Sequence, residues 1–130
     1  MDLTHIKKVT PLDQAILNKL LAELEPGSAE ILRSQLEEIN VVDHSVDGKE
    51  AMFYKIRLFR SDLKRRRLFG FKHIEDLRVR AKIIVEGEAI SIELCFVKGS
   101  FFSIVFPRDV SDLRLAQNVE LELFHADFSA

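Results

Sequence analysis

The run from Val79 to Phe106, VRAKIIVEGEAISIELCFVKGSFFSIVF, constrains the fold more tightly than any other stretch of this chain. Val79, Ala81, Ile83 and Val85 alternate with Arg78, Arg80, Lys82 and Ile84, the period of a half-buried strand. Ile90, Ile92, Leu94 and Phe96 repeat the pattern against Ser91, Glu93, Cys95 and Val97. A two-residue turn at Glu86-Gly87 sets Ile83 opposite Ile90, Ala81 opposite Ile92 and Val79 opposite Leu94, so both apolar rows share one face. The next turn admits two registers. A Lys98-Gly99 turn pairs Phe96 with Phe101 but sets Leu94 against Ser103. A three-residue Val97-Lys98-Gly99 loop with a bulge pairs Leu94 with Phe102 and Ile92 with Ile104. The bulged loop is the expected one, because it keeps more apolar side chains on one face.

Around this meander the chain offers two helices and further strands. Thr10-Pro11 with Asp13 marks a helix start, and Ile16, Leu17, Leu20, Leu21 and Leu24 form an apolar stripe. Helices are expected over about 11–25 and 29–39, the second capped by Ser28. Strands are expected over about 41–46, 50–59, 78–85, 89–97, 101–106 and 118–124. Asp47-Gly48 joins the first two, and the return strand sets Met52, Tyr54, Ile56 and Leu58 against Phe53, Lys55, Arg57 and Phe59. Arg60 to Leu77 reads as a long exposed connection. After Pro107, residues 109–116 suggest a helical turn that docks Leu113 and Leu115. Helices first and strands after predict a single α+β domain over 1–130, with a helical hairpin on one face of a curved, mainly antiparallel sheet of about six strands.

Composition excludes several classes. A charged fraction of 31% with 47% hydrophobic residues belongs to a folded globular chain, and no apolar run is long enough to span a bilayer. The start, MDLTHIKKVT, has no apolar segment of the signal-peptide kind, and one cysteine forms no internal disulfide, so a cytoplasmic location is expected.

Net charge is only −2, but Lys55 to Lys82 carries eleven basic residues and three acids, leaving an excess of acid elsewhere. Within it, Lys64, Arg65, Arg66, Arg67, Phe69, Phe71 and Lys72 combine guanidinium forks with aromatics that could stack or anchor. These seven are the candidate binding residues. Acids on the helices (Glu23, Glu25, Glu30, Glu37, Glu38) and on the last strand (Glu120, Glu122) offer a complementary surface.

Catalytic signals are weak. Cys95 lies in a strand beside Glu93 and Phe96, neither of which would activate a thiol. His5, His44, His73 and His125 are dispersed, without metal-ligand spacing, and read as lone surface histidines. The pairs Glu86/Glu88, Asp109/Asp112 and Glu120/Glu122 read as solvated charges. No catalytic residue, metal or cofactor is expected.

The leading helix with Leu32, Gln35 and Leu36, then Val41-Val42, Asp47-Gly48 and Phe96-Val97-Lys98-Gly99, resembles small bacterial α+β proteins, some of them immunity-like partners of toxins. The likeness spans about half the chain, and the Lys64–Lys72 stretch is not part of it. It implies a binding protein, not an enzyme. The expected function is non-catalytic binding of a protein partner or self-association, a dimer included, through the basic-aromatic surface at 55–82. Nucleic acid or another polyanion at the same residues is the alternative.

Overall fold

A computed structural model describes residues 1–57, 60–61 and 76–125. Its architecture is α+β, as expected: a two-helix unit packs against a curved six-stranded antiparallel sheet. Helix α1 spans Pro11–Glu23 and α2 spans Pro26–Glu38. The main-sheet strands are β1 (Val41–His44), β2 (Glu50–Tyr54), β5 (Leu77–Val85), β6 (Glu88–Val97), β7 (Ser100–Val105) and β8 (Val119–His125). Their spatial order is β1-β2-β7-β6-β5-β8. The β5-β6-β7 meander thus fills the middle, with the β1-β2 hairpin on one flank and β8 on the other.

Thr10 caps α1 through a reciprocal box. Its hydroxyl accepts from Asp13 N at 3.1 Å, and Asp13 Oδ2 accepts from Thr10 N at 3.0 Å. The start of α2 differs from expectation. Pro26 opens the helix after Glu25, which makes no side-chain cap, so Ser28 lies inside the first turn and is buried. A proline at the first helical position needs no donor, and that fixes the start two residues before the serine.

The helices bury Leu12, Ile16, Leu17, Leu20, Leu32 and Leu36 against the inward rows of the sheet: Val42, Ala51 and Phe53, then Ile104, Leu94 and Ile92, and the alternating residues of β5 and β8. Leu3 and Ile6, ahead of α1, join this core. Gln35 ties the layers together. Buried on α2, it donates from Nε2 to Gly99 O at 3.0 Å and accepts at Oε1 from Phe101 N at 2.9 Å.

The β5–β6 register is the one read from sequence, with Val79, Ala81 and Ile83 facing Leu94, Ile92 and Ile90. The β6–β7 register is not. Val97 pairs with Ser100 and Phe96 with Phe101, so the turn is the two-residue Lys98-Gly99, both residues having positive φ (51° and 84°). The ladder then shifts between Cys95 and Phe96, and Leu94 meets Ile104. The bulge therefore lies within β7, at Phe102, instead of in the loop. The extra residue removes the Leu94–Ser103 mismatch that an unbroken two-residue register would impose.

Other expectations move by a few residues. The β1-β2 register centres on Asp47-Gly48, but β1 stops at His44, and Ser45 and Lys49 both donate to Asp47 Oδ1 beyond it. Gly48 has φ of 69°, and a Cβ there would strike the Asp109 carboxylate, so glycine is required twice over. Past Tyr54 the β2 alternation ends. Ile56–Arg57 (β3) pairs with Arg60–Ser61 (β4) in a separate small ladder, and Asn40 satisfies both Ile56 N and Ile56 O. The 107–118 connection forms a short 3-10 turn at Ser111–Leu113. It buries Leu113 but leaves Leu115 82% exposed, so only one of the two leucines docks.

Candidate interaction surface

Because one set of alternating side chains turns to the helices, the other set forms a continuous face on the far side of the sheet. The ladders align it into rows. Asp43, Met52, Ser103, Cys95 and Arg78 lie in line across β1, β2, β7, β6 and β5. Glu50, Val105, Glu93 and Arg80 form the next row, followed by Ser91, Lys82 and Glu122, then Ala89, Ile84 and Glu120. On the other side of the first row, Val41 pairs with Tyr54, whose ring meets Phe102 edge-on at 5.7 Å. The Tyr54 hydroxyl also donates to Met52 Sδ at 3.4 Å.

The face is therefore divided. Towards β1, β2 and β7 it carries Val41, Met52, Tyr54, Phe102 and Val105, each half-buried, with the acids Asp43 and Glu50 among them. Beside Val41 and Tyr54 it continues into a shallow groove bordered by Lys8, Lys55 and Ile56. Towards β5 and β8 it is charged. An antiparallel sheet covered on one side usually turns a polar face outward; this one mixes charged residues with apolar ones, and the larger apolar side chains gather towards β1, β2 and β7.

The charged half is mixed in sign. Arg78, with its side chain 72% exposed, lies 3.3 Å from Glu93, and Lys82 lies 3.5 Å from Glu122. At the other end of the basic stretch, Lys55 lies 3.9 Å from Glu38. Such exposed pairs each add only about 0–1 kcal/mol of stability, but they balance the local field. The candidate residues Lys64, Arg65, Arg66, Arg67, Phe69, Phe71 and Lys72 lie outside the described residues. So do Leu58 and Phe59.

The histidines are not all solitary. Asp13, 2% exposed, accepts from His44 Nε2 at 2.8 Å while closing the α1 cap. His5 Nε2 lies 3.0 Å from Leu36 O. The Asp13–His44 contact joins residues far apart in sequence, so no local spacing could announce it. It borders a small recess lined also by Thr10, Glu50 and Arg114. Cys95 is not among the residues lining that recess.

Cys95 sits half-buried on the far face of β6. Burial pushes its thiol above the ordinary value, offset in part by the Ser103 hydroxyl and by Arg78, which is the opposite of nucleophile activation. Glu88 is gripped by Arg108, Nε to Oε2 at 2.8 Å and Nη2 to Oε1 at 2.7 Å, and this hydrogen bonding holds its carboxyl below the usual range. Asp109 is held low by Ser111 in the same way. Among the described residues, no three histidine, cysteine or acidic side chains gather where an ion could sit, and no helix is long and apolar enough to cross a membrane.

Comparison of the chain with protein-family models, with curated proteins and with solved structures finds no match.

Proposed function

We propose that this protein acts by non-catalytic binding of a protein partner in the cytoplasm, through the sheet face turned away from the helices. The observation that carries this reading is the half-buried apolar group Val41, Met52, Tyr54, Phe102 and Val105, set beside a mixed-charge region of Arg78, Arg80, Lys82, Glu93 and Glu122. An aromatic and aliphatic centre with a charged rim is the usual anatomy of a protein interface. In this reading the sequence run Lys64, Arg65, Arg66, Arg67, Phe69, Phe71 and Lys72, which leads into β5, supplies the electrostatic steering. The single free cysteine suits a reducing compartment.

A polyanion at the same arginines is the second reading, carried by their density in the sequence. The ion pairs of Arg78 and Lys82 weigh against it, since they leave the adjoining sheet without a uniform positive field. Binding measured at stepped salt separates the two. Phosphate contacts lose affinity linearly in log salt, with a slope near their number, whereas an apolar-centred interface loses little. Met52→Ser with Tyr54→Ser should weaken a protein partner several-fold more than Arg65→Glu, Arg66→Glu and Arg67→Glu together weaken it at high salt. If only the arginine reversals matter, and salt abolishes binding, the polyanion reading replaces this one.

A further inference from the structure

The two edges of the sheet are built differently. At β1 the chain itself supplies a guard. Lys7 forms a parallel bridge to Val41, its N–H donating to Asn40 O at 2.8 Å and its carbonyl accepting from Val42 N at 3.0 Å. At the other edge stands β8, seven residues long against four for β1. Among the described residues its only strand partner is β5. It has no proline, lysine or arginine, and its inward residues Val119, Leu121 and Leu123 are apolar; what interrupts the edge is a bulge at Phe124, where the register to β5 shifts, so the regular ladder runs over Val119–Leu123. Its outward row is acidic, with Glu120 and Glu122 exposed, and Phe124 follows at 54% exposure.

We infer that the outer edge of β8 receives an extended segment of a partner protein by strand addition, and that this segment carries basic residues at alternate positions. Charge decides between occupants. An antiparallel pairing of two β8 strands about Leu121 or Glu122 sets acid against acid across the ladder, which opposes a second copy. A strand with alternating cations meets Glu120 and Glu122 instead, along the regular part of β8 that precedes the bulge at Phe124. The protein already uses this match on the inner side, where Lys82 of β5 faces Glu122 at 3.5 Å. Backbone pairing supplies affinity and the alternate charges supply register. The edge shares Glu122 with the charged region named above but none of the apolar group, so loss of peptide binding in the Glu120→Lys, Glu122→Lys variant is distinguishable from loss of partner binding in the Met52→Ser, Tyr54→Ser variant.

The test uses the full chain and a seven-residue peptide alternating lysine and valine, with amide exchange and fluorescence anisotropy as readouts. The peptide should slow exchange along β8, and Glu120→Lys with Glu122→Lys should weaken binding about ten-fold or more. A glutamate–valine peptide should then bind that variant, a rescue that an unfolded protein would not show. A lysine peptide N-methylated on alternate residues should fail to bind. Equal binding of the methylated peptide would reduce the contact to charge alone and overturn strand addition. Protection confined to other strands, or concentration-dependent dimerisation through β8 without peptide uptake, would overturn it as well.

Discussion

Gln35 is the residue on which the joint between the two layers depends. Its amide satisfies both Gly99 O and Phe101 N in a buried setting, where an unmet backbone group costs roughly 1–3 kcal/mol. Gln35→Leu keeps the volume but strands both partners, so a loss of about 2–4 kcal/mol is expected in urea unfolding. A loss under 1 kcal/mol would show that water replaces the amide. In the sequence the residue stood out only beside Leu32 and Leu36, and its partners did not stand out at all. Asp13 was legible as a first-turn acid, yet its bond to His44 depends on how α1 meets β1, and no local pattern encodes that.

At the scale of elements, alternation and glycine identified the six main-sheet strands and placed the β5–β6 pairing to the residue. They did not place the bulge in β7. The loop bulge was expected because it keeps more apolar side chains on one face; a bulge at Phe102 achieves the same with the two-residue turn intact, setting Leu94 against Ile104, which pairs in turn with Ala51 of β2. The turns themselves retain strain that can be relieved. Glu86 and Lys98 occupy left-handed conformations at φ of 50° and 51°, which asparagine tolerates better. Glu86→Asn and Lys98→Asn should each stabilise the fold by about 0.3–1 kcal/mol, read as a raised melting temperature. The β5–β6 turn also carries a pH signature. Arg108 joins Glu88 to Asp112 of the following connection, and the depressed Glu88 carboxyl means that the folded state binds its proton less readily than the unfolded state. Its stabilising effect is present above the ordinary glutamate range and is lost as pH falls through the lower folded value. Melting temperature should therefore fall less on acidification in Arg108→Gln than in the native protein, and parallel curves would show that the pair contributes nothing.

For the molecule as a whole, the layer order was legible because the helix period ends at Glu38 before the strand period begins at Val41. Function was far less so. The residues with the most suggestive chemistry, Lys64 to Lys72, follow no secondary-structure period, while the apolar half of the far sheet face becomes apparent only when Met52, Tyr54 and Phe102 are brought together by pairings distant in sequence. The role proposed for this face is to bind a protein. It is tested most directly by affinity capture of the tagged protein from native lysate, with and without nuclease, in parallel with the Met52→Ser, Tyr54→Ser variant. One stoichiometric, nuclease-resistant protein is expected on the native bait, reduced several-fold on a folded variant. Nucleic acid lost on nuclease treatment, equal capture by both baits, or recovery of the bare protein would contradict it.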